Sequence, residues 1–585
     1  MKSDMQNMNG QRRTPEWVGV STGDDAIDKA FAISVELVED LTRQYHEQKG
    51  QKGWLPVSGG ARGPLIVPSD TRDSAHAVKM AAYLWGAETN LSETLTDAMF
   101  LAFTDPNTGG ISHPCCPMGS GHPPIGVAAG LYLRCVSDTF RYFLPAENFE
   151  EAMRRAALTA DWIVATFDPE HSGLLDNRNE HAGCFWGTHL GEGNHFPPNH
   201  DPKSKTVVAT MAFCVWLRRM AEACRGGQHP AAGHFDKLLE RYSATIERKA
   251  WSDRGGYYYC QFDRVADKWF FSMNGLCETS RETDVIPYYC AETAVAAEHK
   301  RCVARHLDNA LTQDRIFPMP IYYPTYAWYS PEHPNYTDHG SDKFLMGGAW
   351  DTPYFHCVQL LAQMGLAEAL ELAVRKRAQA IVRDGDCLEW YHLDGTVDHK
   401  TGFHRDRYLV CATAQIAATI EGLFGITPAE PGFTAINFAP LLPLFRRHRH
   451  SAPLTAKDQA PKSIRITLPG GRRLDFAIAY NESEETITVS VNKLDVRGCF
   501  RIPVDFAERV RTADWGGAPV EFSITESMGH RFISLEHLLD GRELTIRLAP
   551  HPQKGKGTTP FIEVSPTGEV VLKGCGSPEP SPAVW

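Results

Sequence analysis

The sequence has no long apolar stretch. No run of about 18 apolar residues occurs, so no membrane-spanning helix is expected. The opening MKSDMQNMNGQRR has none of the apolar core of a secretory signal, which points to a cytoplasmic protein. A basic surplus is also missing. The 59 Lys and Arg are outnumbered by 71 Asp and Glu, giving a net charge of -12, so nothing is left over to neutralise the phosphates of a nucleic acid. The one basic run, 446-RRHRH-450, reads as a solvated loop between domains. The 15 cysteines are odd in number and scattered, and they read as reduced, buried thiols rather than a disulfide framework. Zinc spacing is missing as well. Cys115 and Cys116, with His113 and His122 nearby, fit no paired Cys or His pattern, and neither a metal nor a cofactor is expected.

What is present is an ordinary soluble composition, 43% hydrophobic and 22% charged, in a chain of 585 residues, too long for one core. Apolar residues recur at helical spacing from about residue 24 to 425. Ile27, Phe31, Val35, Val38 and Leu41 make the first such stripe, with Ser21 or Thr22 able to cap it. Further stripes fall near 74–87, 91–104, 123–141, 147–166, 204–223, 233–250, 287–311, 347–364, 366–382 and 406–424, the 287–311 stretch counting as two short helices. Long Gly-, Pro-, His- and aromatic-rich segments (105–124, 168–203, 251–286, 312–346) alternate with links as short as the single Gly365. Helical hairpins joined by short links on one side and long loops on the other predict a mainly α fold: a closed (α/α)6 toroid whose long loops line one mouth. After 425 the pattern changes to strict alternation with turns at Pro469-Gly470-Gly471 and Asn481-Glu482-Ser483, which predicts a small antiparallel β-sandwich. The expected division is an N-terminal segment with one helix (1–65), the toroid (66–425), a linker and sandwich (426–550), and a mobile tail (551–585). The sandwich is expected to close one side of the toroid, with a dimer contact in a homo-oligomer as the alternative.

Four loop segments combine carboxylates with aromatic or hydroxyl-binding residues: 70-DTRDSAH-76, 173-GLLDNRNEHAGCFWGTHLGEGNHFPPNHD-201, 278-ETSRETD-284 and 386-DCLEWYHLDGTVDHKTGFHRDRY-408. In the last, Glu389 stands between Leu388 and Trp390-Tyr391. A core strand would not choose Glu, and a solvent loop would not choose Trp-Tyr. Cleaving a glycosidic bond needs two facing carboxyl groups, one to protonate the leaving oxygen and one to attack or to activate water. The acid has to stay protonated near neutrality, which apolar burial promotes, and aromatic rings supply both burial and a stacking face for the sugar.

Five elements in one order, across about residues 66 to 425, resemble the inverting glycosidases of the trehalase-like and processing α-glucosidase-like clan, nearest to glycoside hydrolase family sixty-three. Arg72-Asp73-Ser74 is similar to that family's "WDS" element, and 121-GHPPIGVAAGLYL-133 to its "SQPP" helix start. Segment 249-KAWSDRGGYYYCQFD-263 is similar to "LWDEEDGFYYD". Segments 345-LMGGAWDTPYFHCVQLL-361 and 388-LEWYHLDG-395 are similar to "WRGPVWPPVNYLL" and "YEYYNPxTG". The resemblance implies that Glu389 is the general base. It implies that Asp73, His122 and Trp350 line the sugar site. The residues themselves add Arg72 as a clamp for sugar hydroxyls, Trp186, Trp390 and Tyr391 as aromatic faces, and Asp351 as a polar contact. The resemblance leaves the acid open between Asp176, in 172-SGLLDNRN-179, and Glu192, in 190-LGEGNHF-196. Two departures concern the substrate: Met346 replaces the Arg of "WRG", and Asp351 stands where the family has Pro.

The expected function is hydrolysis of a short α-linked glycoside or glycoconjugate, a small carbohydrate, with inversion. The alternatives are an epimerase, lyase or dehydratase on the same toroid using His or Tyr, and a non-catalytic carbohydrate-binding protein. Arg72, Arg281, Arg405 and Arg407 would suit a substrate bearing a carboxylate.

Overall fold

The computed structural model describes residues 14–40, 42–44, 54–56, 82–86, 96, 100–101, 104–111, 137–145, 147–176, 204–264, 267–271, 280–320, 322–323, 348–397, 408–442, 460–481, 483–504, 510–548, 561–564 and 570–573.

Its helices fall into two kinds that alternate along the chain. Helix α3 (Val207–Gly226), α5 (Val285–Glu292) and α9 (Leu409–Ala417, continued by a π-helical turn, Ala418–Leu423) are apolar nearly all round and buried nearly end to end. A helix of that composition has to be surrounded by protein. The helices between them are amphipathic. Helix α4 (Ala232–Lys249) buries only Phe235, Tyr242, Thr245 and Ile246, and α6 (Ala297–Thr312) buries Val303, Ala304, Leu307, Ala310 and Leu311. Helices α2 (Phe149–Phe167) and α8 (Ala367–Asp384) bury one face each. Helix α7 (Asp351–Met364) packs against both α5 and α9. The sequence thus builds outer–inner hairpins, and the link from α7 to α8 shows how short it can be. Gly365 has φ +79°, in the left-handed region. Its N–H reaches the α7 carbonyls, and the next N–H, of Leu366, bonds to Leu361 O at 2.9 Å, so the chain reverses in two residues.

The first helix, α1 (Asp25–Asp40), packs against the last two, α8 and α9. Asp24 before it receives a 2.7 Å hydrogen bond from Arg375 on α8. Deep among the buried helices lies one polar network. Arg219 of α3 reaches Asp138 and pairs with Glu292 of α5 at 2.8 Å, and Arg141 pairs with Glu292 at 2.9 Å. Gln359 of α7 lies between Glu292 and Glu421, which also accepts hydrogen bonds from Tyr83 (3.1 Å) and Tyr142 (2.6 Å). Side chains from the helical residues 82–84 and 137–142, from α3, α5 and α7, and from the π turn after α9 all meet there. Burial alone would push the Glu292 carboxyl up, but the guanidiniums of Arg141 and Arg219 outweigh it and hold it well below the usual carboxylate range.

Two packed sheets follow. A seven-stranded sheet runs Gly19–Ser21 (β1), Lys462–Leu468, Arg472–Asn481, Thr486–Val491, Leu544–Leu548, Val510–Trp515, Ala518–Pro519. A five-stranded sheet runs Ile426–Pro428, Ala435–Phe438, Arg497–Pro503, His530–Leu538, Ser523–Ser527. Phe438 of the second stacks on Phe476 of the first at 5.2 Å, and Phe500 lies 5.7 Å from Trp515. Strand β1 comes from the N-terminal segment, so that segment supplies both a sheet edge and a helix. The expectation of purely antiparallel strands is corrected at one place: Ala435–Phe438 pairs in parallel with Arg497–Phe500. Parallel neighbours need a long crossover, and the strands between them, which belong to the other sheet, provide it.

The sheets meet the helices at the C-terminal ends of the buried ones. Gly86 O accepts from Gly471 N–H at 2.9 Å, and a Cβ on Gly86 would stand 2.2 Å from the Leu468 carbonyl. Gln363 O and Met364 O, at the end of α7, accept from Arg501 and Ser527. The N-terminal ends of the buried helices face the other way. The described residues of the tail form a strand pair, Phe561–Val564 with Val570–Lys573.

Candidate active site

Each buried helix from α3 onward is entered through a very short extended segment, and these segments are laced edge to edge. Strand β2 (Leu175–Asp176) pairs with β3 (Lys205–Thr206), which leads into α3 with the Thr206 hydroxyl accepting from Ala209 N–H as a cap. Strand β3 pairs with β4 (Gln261–Asp263), and β4 with β5 (Lys268–Phe270). The carbonyl of Phe271 accepts from the N–H of Glu282 at 3.2 Å, which joins on β6 (Arg281–Glu282), the segment before α5. Strand β6 pairs with β7 (Tyr322–Tyr323), Pro320 bridges to Ala349, and β8 (Ala349–Trp350), leading into α7, pairs with β9 (Trp390–Tyr391). Tyr408 N–H, just before α9, bonds to Cys387 O at 3.0 Å. The helix N-termini gathered here carry the positive ends of their dipoles, which favour carboxylates and other anions.

This belt brings together residues far apart in the chain. Trp350 lies opposite Trp390 and Ala349 opposite Tyr391, so the 345–361 and 388–395 segments meet as an antiparallel pair. Glu389 sits directly before that pair, half-buried. Its backbone is fixed on both sides: Leu388 O accepts from Arg377 and from the Cys411 thiol, and Tyr391 is pinned under the Arg377 guanidinium, 4.3 Å from the ring centre. Trp350 and Tyr391 are buried, so neither ring offers a face to solvent. Asp176 is buried on β2, with the Lys205 ammonium bound to its Oδ1. That partner suits a carboxylate anion, whereas a general acid has to carry a proton. Asp351 begins α7 and Trp390 begins β9, but their side chains lie outside the described residues, as do Arg72, Asp73, His122, Trp186 and Glu192. Among the described residues no group of three or more His, Cys, Asp or Glu could hold a metal ion, and no helix is long and apolar enough to cross a membrane.

Sequence reasoning took Arg281 from 278-ETSRETD-284, as a partner for a substrate carboxylate, but gave its carboxylates no role. The structure buries both of its last two carboxylates at the head of α5. Burial pushes the Glu282 carboxyl up to about 8, against the pull of backbone N–H groups of Asp284 and Val285. Its Oε2 has no hydrogen-bond partner among the described residues. The Asp284 carboxylate lies 2.6 Å from His356 Nδ1 of α7, and the His356 ring stacks on Tyr288 at 4.5 Å. The signal was there: an apolar run, VIPYYCA (285–291), follows the carboxylates with no spacer, so its burial extends back over them. The Asp284–His356 pair is the kind of dyad that a His-based lyase or epimerase would use, but both side chains are fully buried.

No protein-family model matches the sequence, and no curated protein does. Solved structures do. A rhamnosidase of Bacillus sp. GL1 superposes with a TM-score of 0.54 at 13% identity, covering 84% of this chain and 43% of that one. An α-L-rhamnosidase of Aspergillus terreus gives 0.57 at 12% identity, covering 92% and 51%. The fold is shared with α-L-rhamnosidases. This chain spans about half their length or less. A mannosylglycerate hydrolase of Thermus thermophilus matches more loosely, with a TM-score of 0.44 at 14% identity, covering 66% of this chain and 99% of that one.

Proposed function

We propose that the chain is an inverting glycoside hydrolase whose six helical hairpins close into an (α/α)6 toroid, with the reaction at the mouth where the buried helices begin. Three observations support the toroid: the alternation of buried and amphipathic helices, the packing of α1 against α8 and α9, and the polar network fed by six successive buried segments. That network and the two sheets lie toward the far end of the helices and leave the belt side for substrate.

The observation that carries the function is Glu389, a half-buried carboxylate at the mouth with its backbone held rigidly and aromatic residues on either side of the belt pair. It acts as the general base: it takes a proton from water, which attacks the anomeric carbon while a second carboxyl group gives its proton to the departing oxygen. Inversion requires about 6.5–9.5 Å between the two groups, enough for that water. The acid is Asp176 or Glu192. If it is Asp176, the Lys205 ammonium must be displaced from the carboxylate when substrate binds. The substrate is a short α-linked glycoside, and no cofactor takes part.

The test is a panel of α-glycosides followed by 1H NMR from the first seconds of reaction. The reading expects the β-anomer of the released sugar to appear first. An α-anomer would mean retention, and an unsaturated or epimerised product would mean different chemistry.

A further inference from the structure

Strands β2 to β5 place four side chains in one row. Asp176 is opposite Lys205, Lys205 opposite Phe262, and Phe262 opposite Trp269. Directly opposed residues in an antiparallel sheet stand on the same face. That face therefore reads carboxylate, ammonium, ring, ring. The two rings are half-buried, 5.0 Å apart between centres, and Trp269 is backed by Tyr259.

Lys205, Phe262 and Trp269 of this row line a cleft of about 490 Å³, with Leu174, Ser172, Lys249, Arg264 and Glu170 around them. Its walls are mainly apolar, and three cations, Lys205, Lys249 and Arg264, face one carboxylate, Glu170, in a protein whose net charge is -12. Glu170 does not balance them. It is exposed, and it stands 3.8 Å from Lys205 Nζ and 3.7 Å from Arg264, too far for strong pairing. Lys249, the last residue of α4, has no ion-pair partner among the described residues. A flat aromatic surface suits the apolar face of a pyranose ring, and two exposed cations beside it suit a carboxylate on that ring.

We propose that this cleft is a subsite for an acidic sugar, a uronate residue stacked on Trp269 and Phe262 with its carboxylate between Lys249 and Arg264. Its place in the reaction, next to Asp176, rests on the glycoside hydrolase reading; the binding itself does not.

The experiment is isothermal titration calorimetry of the full chain at low salt with α-1,4-linked trigalacturonate and its uncharged methyl ester. Wild type is expected to bind the acid about fivefold tighter than the ester. The double variant Lys249→Met/Arg264→Gln changes exposed residues and is expected to bind both equally, with an unchanged far-ultraviolet circular dichroism spectrum. Trp269→Ala is expected to weaken both about tenfold. Equal affinity of wild type for acid and ester, no binding of either, or a preference that survives the double variant would each overturn the proposal. Binding that follows the expected pattern in a protein that hydrolyses no glycoside would leave the subsite standing and end the hydrolase reading instead.

Discussion

Replacing Glu282 by Gln tests whether this buried carboxyl is held in its protonated form. Its ordinary value is 4.5 and burial raises it to about 8. The native state therefore keeps a proton that the unfolded chain gives up. Stability is fully present below about 4.5, falls as pH rises, and levels off above about 8. The slope is about 1.4 kcal/mol per pH unit, so the loss across the window is at most about 5 kcal/mol. Gln has nearly the same shape. Its oxygen can accept the Asp284 N–H that Glu282 now accepts, and its amide stands where Oε2 already has no partner among the described residues. The two proteins should thus be within about 1 kcal/mol of each other at pH 5. By pH 8 the variant should be the more stable by about 3–5 kcal/mol. Urea unfolding followed by tryptophan fluorescence at pH 5, 6, 7 and 8, at constant ionic strength, reads this as a widening gap between midpoints. Midpoints that stay parallel across the range would show that Glu282 is ionised in the native state, and the description of the α5 head would fail.

Other outcomes follow from the same structure. Glu292→Ala strands the buried Arg141 and Arg219 without their shared carboxylate, and should cost about 3–5 kcal/mol in urea unfolding; a loss below 1 kcal/mol would remove the network from any part in closing the helices. Gly86→Ala puts a methyl group into the Leu468 backbone and should loosen the sheets from the helices, read as a lower midpoint in urea unfolding, where an unchanged midpoint would contradict the close approach. Asp176→Asn and Glu192→Gln identify the acid. Its loss should slow cleavage of an alkyl glycoside about 10²–10⁴-fold while sparing a dinitrophenyl glycoside, whose leaving group needs no proton. If neither variant discriminates between the two leaving groups, the acid lies elsewhere.

The described helices were legible in the sequence because each carries apolar residues at helical spacing that no tertiary contact has to explain; the stripes at 91–104 and 123–141 lie mostly outside the described residues. The stripe at 204–223 became Val207–Gly226, that at 233–250 became Ala232–Lys249, and 287–311 divided as expected into Val285–Glu292 and Ala297–Thr312. The pairing of Gly19–Ser21 with Ser463–Arg465 was not legible, because three residues carry no periodicity and their partner lies more than 440 positions away. The packing of α1 against α8 and α9 was hidden for the same reason. At the site, motif order brought Trp350 and Glu389 into one neighbourhood, which the β8–β9 pair realises. The burial of Trp350 and Tyr391 was not readable, since an aromatic residue beside a carboxylate looks the same whether its ring meets a sugar or, as for Tyr391, an arginine. The Asp176–Lys205 contact depends on the register between β2 and β3, which local sequence does not set.

The central claim is that Glu389 draws the proton from the attacking water. Once an α-glycoside substrate has been found, kcat/KM for wild type and Glu389→Gln, compared at equal unfolding midpoints, tests this most directly. A fall of about 10²-fold or more, spread over alkyl and dinitrophenyl glycosides alike because water activation is needed for both, is the predicted result. Turnover within about tenfold of wild type would contradict it.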